Sequence, residues 1–131
     1  YKAEPETLDM VVVGGTYGIG KRGDFVGSYL VSLRDEDNNL KTVAYVATGL
    51  DDATLEYLTK KMKEYELSTK GREIVVEPKI VLEVAFSEIV ESPEYETEYS
   101  LRFPVVKNIR KDKGVDDIDT VERLISMYET Q

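Results

Sequence analysis

Apolar and polar positions alternate with a period near two along several stretches and near 3.6 along two others, so the pattern predicts mostly strands with two helices. Leu8–Val13 is a Val-rich run bounded by glycines and predicts a buried strand. Ser28–Asp35 predicts a second, with Tyr29, Val31 and Leu33 alternating against Leu30, Ser32 and Arg34. The cluster Asp35-Glu36-Asp37-Asn38-Asn39 is turn chemistry, because Asp and Asn tolerate left-handed backbone and close Asx-turns. Leu40–Thr48 then pairs back as a third strand.

A helix follows with a legible start. Asp51 is its expected N-cap, Leu50 and Leu55 form a hydrophobic staple, and Leu55, Leu58, Met62 and Tyr65 repeat at helical spacing, with an end before Gly71. Glu73–Glu77, Val81–Val90 and Ser100–Arg110 predict further strands, with Pro78, Pro93 and Pro104 at margins or bulges. Asp116–Tyr128 predicts a last helix with Ile118, Val121, Leu124, Ile125 and Tyr128 on one face. Three strands, a helix and then further strands is the order of a mainly β, five-stranded Greek-key barrel of the OB type, with its helix after the third strand. The expected division is an OB-fold domain over 1–113 and a C-terminal helical extension over 114–131.

The stretch VVVGGTYGIGKRG, Val11–Gly23, satisfies the P-loop spacing G-x-x-x-x-G-K through Gly15, Gly20 and Lys21. Arg22 stands where a P-loop needs Ser or Thr, and the chain runs on into a strand instead of a helix whose N-terminal amides face the phosphates. A glycine-shaped connection between the first two strands is therefore expected, including Gly14, Gly15, Gly18, Gly20, Gly23 and Gly27. The loop joining these strands in an OB barrel is one of its oligonucleotide-binding loops, so Lys21 and Arg22 are candidate phosphate contacts.

With 131 residues and 41% hydrophobic positions the chain suits one domain with an ordinary core. It has no Cys and no His, which excludes thiol nucleophiles, disulfides, Cys/His zinc sites and His-based triads. No apolar run approaches the ~20 residues that cross a bilayer, no leader pattern opens the chain, and the reading is a cytosolic protein, or a nuclear one if eukaryotic. The start at Tyr1 without Met leads to the expectation of a segment of a longer protein.

The net charge of −9 argues on average against a dedicated nucleic-acid-binding domain, but the charge is unevenly spread. Between Arg102 and Lys113 the five basic residues Arg102, Lys107, Arg110, Lys111 and Lys113 meet one acid, Asp112. Such a stripe suits phosphate oxygens, with Arg as a planar fork and Lys as a point charge; a solvated strand end is the competing explanation.

SLRFPVVKNIRKDK, Ser100–Lys113, resembles motif VI of ATP-dependent DNA ligases of the archaeal and eukaryotic replicative type, whose pattern is close to SLRFPRFxRxRxDK. Leu8–Asp35 resembles the opening of that family's OB-fold domain, with its GKR and YGS/FGS elements. VATGLDDATLEYLTKKM resembles its third strand and helix, and DDIDTVERLISMY the C-terminal helix of archaeal members. Arg102, Arg110, Asp112 and Lys113 match the pattern. Val105 and Asn108 stand where Arg is frequent, so those two contacts are not carried over.

The resemblance implies a three-step reaction. An upstream lysine attacks the α-phosphate of ATP, AMP moves to a nicked 5′-phosphate, and the 3′-hydroxyl displaces it, with Mg2+ expected throughout. It implies that Arg102, Arg110 and Lys113 contact the triphosphate or its pyrophosphate leaving group, with Asp112 orienting a neighbour. Lys21 and Arg22 become candidates for contacts to the backbone of nicked duplex DNA across the minor groove. The K-x-D-G lysine motif is absent, so this segment alone is expected to be inactive and to work with the adenylation and DNA-binding domains of the same enzyme. Docking to a sliding clamp is left open, and no membrane partner is expected.

Two alternatives stand beside this reading. A non-enzymatic OB module for single-stranded nucleic acid would stack bases on Tyr17, Phe25, Tyr29, Tyr45 and Phe103, but has no need of RKDK after RFP. The OB domain of a related nucleotidyltransferase, such as an mRNA-capping enzyme or RNA ligase, fits GKRGDFVGSYL less well.

Overall fold

The computed structural model describes residues 6–18, 25–47 and 51–131. Lys21 and Arg22, with Leu50 of the expected staple, lie outside them. Strands β1 (Glu6–Tyr17), β2 (Val26–Arg34) and β3 (Leu40–Val46) form an antiparallel meander. The β2–β3 turn is closed as its residue types dictate: the Asp35 carboxylate accepts from the amides of Asp37 and Asn39 at 2.9 and 2.8 Å, and Asn38 takes φ 63°.

Helix α1 (Asp52–Glu64) begins where predicted, with the Asp51 side chain accepting from the Thr54 amide at 2.7 Å. That bond holds the Asp51 carboxyl below its ordinary range. Leu55, Leu58 and Met62 enter the core, and the buried Thr59 hydroxyl accepts from the amide of Val26, fixing the start of β2.

After α1 come β4 (Glu66–Lys70), β5 (Glu73–Phe86), β6 (Glu88–Glu91), β7 (Tyr99–Arg102) and β8 (Val105–Ile109). A 3-10 turn, Val115–Asp117, and helix α2, Val121–Thr130, complete the order. The main sheet runs β3-β2-β1-β5-β4, with β8 also on β5. The small β6–β7 sheet is stitched to the β3 edge by the Thr97 amide donating to the Thr42 carbonyl and by mutual bonds between Thr42 and Glu96. The result is the expected mainly β OB-type barrel, with Leu8, Met10, Val12, Tyr29, Leu82 and Val84 among its core.

Several expectations are corrected in detail. Gly14 and Gly15 belong to β1, and Gly27 to β2, rather than to the connection between them. A Cβ on Gly14 would lie 2.8 Å from the Ile74 carbonyl oxygen, and one on Gly15 2.6 Å from that of Ser28, so these glycines let neighbouring strands approach. The β1–β5 register runs Val12↔Ile80 and then Gly14↔Val75, so Val13 and residues 76–79 bulge out. Pro78, lacking an N–H, falls inside that bulge, and β5 is continuous across it instead of broken.

The sequence pattern gives no sign of strand β4, since all five residues are exposed and carry no burial alternation. It pairs with β5 through a two-residue turn in which Gly71 has φ 62°, the positive first position of a II′ hairpin. Val81–Val90 breaks at Ser87. Ser100–Arg110 is two strands in different sheets, because Phe103 adopts φ 52° and Pro104 cannot donate.

Helix α2 starts at Val121, later than Asp116, with the Thr120 hydroxyl accepting from the Arg123 amide. Leu124 and Met127 join the barrel core, while Ile118 packs with Val11 and Val81. The Gln131 amide bonds both backbone groups of Ile89 in β6, at 2.9 and 2.5 Å, as a neighbouring strand would.

Gly15→Ala is expected to lower stability in urea unfolding by about 2–3 kcal/mol, because its contacts are backbone and core atoms that cannot yield cheaply. Gly114→Ala, with open space around its Cβ and φ −114°, is expected to stay within about 0.5 kcal/mol of the parent.

Candidate functional site

The end of β8 lies across a groove of about 190 Å³ whose walls come from three parts of the chain. Helix α1 supplies Tyr57 and Lys61 and its C-cap Tyr65, spaced i, i+4 and i+8 along one stripe beside its buried face. Strand β5 supplies Lys79, Ile80 and Val81, starting where its bulge rejoins β1. The third wall is Ile109, Arg110, Lys111 and Lys113. The Arg110 amide donates to the Val81 carbonyl at 2.8 Å, which extends the β8 pairing by one residue. The Lys113 amide then donates to the Arg110 carbonyl at 3.2 Å, turning the chain so that Lys113 returns to the groove.

Two of the predicted cations are held there by carboxylates. Arg110 Nη1 is 3.7 Å from Glu83 Oε1, and the same oxygen accepts from Asn108 Nδ2 at 2.7 Å. The Asn108 bond is the largest influence holding the Glu83 carboxyl below its ordinary range, with Thr7, Arg110 and Lys107 adding to it. Asn108 thus orients the partner of Arg110. Lys113 Nζ donates to Asp9 Oδ2 at 2.6 Å. That bond raises the Lys113 pKa, and the Asp9 and Asp112 charges act in the same direction against desolvation and Arg110.

Asp9 is fixed in turn. Its amide donates to the Asp119 carboxylate at 2.7 Å and its carbonyl accepts from the Asp119 amide at 2.9 Å. Arg34 reaches the Ile118 carbonyl at 3.1 Å, so residues 118–119 are pinned to β1 and β2 together.

The remaining groove lysines sit over aromatic faces: Lys111 at 4.6 Å and Lys61 at 6.0 Å from the Tyr57 ring centre, Lys79 at 5.9 Å from that of Tyr65. Lys61 also pairs with Glu64 at 3.6 Å. Lys79 and Lys111 have no carboxylate partner among the described residues. Sequence reasoning missed Lys61, Lys79, Tyr57, Tyr65, Glu83 and Asp9 as parts of the site. The Tyr57/Lys61/Tyr65 stripe was readable as a helix face, whereas Lys79 and Asp9 arrive by strand pairing.

The other predicted residues lie elsewhere. Arg102, on β7, is exposed and pairs with Glu88 at 3.1 Å in the small sheet; it lines no part of the groove. Asp112 is exposed in the turn between Arg110 and Lys113. The five candidate stacking aromatics do not form a platform. Tyr29 is completely buried, with its hydroxyl pushed strongly upward in pKa by burial. Tyr45 and Phe103, 42% and 75% exposed, share a shallow apolar hollow with Ala47, Pro104 and Val105. Phe25 lies apart from them beside Glu56, Lys60 and Lys63 of α1.

A mainly β OB-type barrel with a cationic groove at the end of β8 places the chain in the OB-fold class of small β modules. Within that class the chain belongs to the family described as ATP dependent DNA ligase C terminal region, which matches residues 22–113. It is similar to the DNA ligase of Methanobrevibacter smithii, 99% identical over 131 residues, all of this chain and 24% of that protein. To the DNA ligase of Methanothermobacter thermautotrophicus it is 61% identical, over 99% of this chain and 23% of that one. The chain thus spans about a quarter of the length of these curated relatives.

Among solved structures, the ligase domain from M. tuberculosis LigD has a TM-score of 0.70 at 23% identity, over 86% of this chain and 38% of that one. A mycobacterial DNA ligase D complexed with ATP and MES gives 0.67 at 23% identity, over 88% and 38%. At that identity the likeness is one of fold.

The Asp9–Lys113 pair gives a prediction with a definite sign. A lysine whose pKa is raised by folding stabilises the fold fully below its unfolded value and loses that contribution as pH rises through the folded one. The stability difference between parent and Asp9→Asn is expected to be flat through neutral pH and to shrink above the ordinary lysine value of 10.5. Nitrogen-detected NMR of Lys113 Nζ should show it titrating at lower pH in Asp9→Asn; an unchanged midpoint would show that Asp9 does not hold it.

Proposed function

We propose that this chain works as the C-terminal OB-fold region of an enzyme that seals nicks in duplex DNA at the expense of ATP, and that Arg110 and Lys113 are its motif VI cations. The observation that carries this reading is their convergence on one small groove, each paired with a carboxylate: Glu83 for Arg110, Asp9 for Lys113. The nucleophilic lysine belongs to the adenylation domain of the same enzyme. As its nitrogen attacks the α-phosphorus and the bond to the β-phosphate oxygen breaks, negative charge accumulates on departing pyrophosphate. Cations already oriented at that position stabilise the transition state more than the ground state. The assignments of Arg102 to the triphosphate and of Asp112 to orienting a neighbour rest on the motif match.

The family implies Mg2+ alongside ATP. Among the described residues no three His, Cys, Asp or Glu side chains gather as a metal site; the part assigned to this chain is that of its cations. For the DNA steps the reading assigns backbone contacts with nicked duplex to Lys21 and Arg22. The separation of Tyr29 and Phe25 from Tyr45 and Phe103 favours this reading over a single-strand stacking module.

In the full-length enzyme, Arg110→Ala or Lys113→Ala is expected to slow self-adenylation by roughly 10²-fold, the scale of removing one preorganised donor to the transition state. Adenylation at the parent rate would sink the assignment. Lys21→Ala/Arg22→Ala is expected to flatten the plot of log affinity for nicked duplex against log salt by about 0.9 for each DNA phosphate left without its cation. An identical slope would remove these residues from the DNA surface.

A further inference from the structure

The groove holds more positive charge than motif VI accounts for. Among the described residues it is lined by five cations and no acid, in a chain of net charge −9. Arg110, Lys113 and Lys61 are offset by Glu83, Asp9 and Glu64, but Lys79 and Lys111 carry charge that no carboxylate among the described residues balances. These two are held over tyrosine faces, an arrangement that places an ammonium without neutralising it.

The cations also come from separate elements: Lys61 from α1, Lys79 from β5, and Arg110, Lys111 and Lys113 from the turn after β8. A single phosphate is satisfied by one wall. Cations on several walls of a cavity of about 190 Å³, two of whose lining tyrosines carry lysines over their rings, suit a short chain of phosphates.

We infer that Lys61, Lys79 and Lys111, with Tyr57 and Tyr65, form a pyrophosphate subsite that continues the motif VI pair and receives the leaving group; this rests on the motif VI reading above. In the forward direction the subsite holds pyrophosphate after the bond from the α-phosphorus to the bridging oxygen has broken. In reverse it binds free pyrophosphate so that one of its oxygens attacks the phosphorus of the lysine-linked AMP. The phosphorus–nitrogen bond then breaks, the lysine nitrogen keeps the electron pair and takes a proton, and ATP is re-formed. Lys61 and Lys79 should therefore set the affinity for pyrophosphate rather than the rate of bond making.

The test uses full-length ligase in its adenylated form, discharged with inorganic pyrophosphate and Mg2+. Lys61→Ala/Lys79→Ala is expected to raise the pyrophosphate concentration for half-maximal discharge roughly tenfold, the scale of removing one or two charge-assisted hydrogen bonds, with the saturating rate close to that of the parent. Lys61→Arg/Lys79→Arg should recover most of the affinity. Lys60→Ala/Lys63→Ala, which removes the same charge from α1 outside this groove, should not shift the curve.

The inference is overturned if the Lys61→Ala/Lys79→Ala curve matches the parent's, or if the Lys60→Ala/Lys63→Ala curve shifts equally. It is also overturned if only binding to nicked duplex weakens, which would make the groove a DNA-backbone contact. Arg110→Ala separates the two readings. If it impairs discharge while Lys61→Ala/Lys79→Ala does not, the extension alone fails; if Arg110→Ala discharges as the parent does, motif VI is misassigned.

Discussion

The close approach of β1 to its neighbours at Gly14 and Gly15 is the constraint on which the rest of this fold depends. β1 is the middle strand of the order β3-β2-β1-β5-β4 and touches β2 on one side and nearly the whole of β5 on the other. Without side chains at these two positions, carbonyls of Ile74 and Ser28 come within the space a Cβ would need, and the strand can curve. The bulge beside them takes up the length mismatch by expelling residues 76–79 from the β1 pairing. That excursion carries Lys79 to the groove and returns Ile80 and Val81 to its wall. The glycines that resemble a phosphate loop therefore have a structural role, letting β1 pass close to its neighbours beside the bulge that carries Lys79 to the groove.

Charge compensation decides how such a site can exist in an acidic chain. Exposed ion pairs are worth little as stabilising contacts, so the value of Glu83–Arg110 and Asp9–Lys113 lies in geometry. Each carboxylate sits on a strand of the barrel and holds a side chain that would otherwise sample many rotamers. Asp9 is the stronger case, because its backbone is bonded in both directions to Asp119 and its side chain to Lys113. The segment after Lys113 thereby anchors the strand that positions Lys113, and α2 follows from that anchor into the core through Leu124 and Met127.

Much of this was legible in the sequence where local chemistry dictates structure. Asp51 caps α1 and Asp35–Asn39 closes its turn because short polar side chains bond the nearby backbone without help from the rest of the fold. β4 was not legible, since a fully exposed strand carries no burial alternation and exists because β5 offers an edge. At Phe103 only part was legible: Pro104 announced a margin or bulge, but a non-Gly residue at positive φ is disfavoured, so the left-handed step into another sheet was not. In the site, Arg110 and Lys113 were readable because they are near in sequence. Lys61 and Lys79 reach the same groove only through tertiary folding.

The break at Phe103 and Pro104 also explains why one continuous motif serves two places. Arg102 ends β7 in the small sheet, where its carbonyl accepts from both the amide and hydroxyl of Ser87, while Val105 begins β8 on β5. A single strand would have kept Arg102 and Arg110 on one ladder, an even number of residues apart and on one face. The left-handed step at Phe103 redirects the chain between sheets and leaves the ring 75% exposed, while Arg102 pairs with Glu88 in the small sheet instead of lining the groove. The motif is thus split by its own backbone into a groove-facing half, ending at Lys113, and an outward half centred on Phe103. The strained residue at Phe103 is what keeps the two halves apart, so on the proposed function the nucleotide's phosphates and the duplex would be met by separate faces.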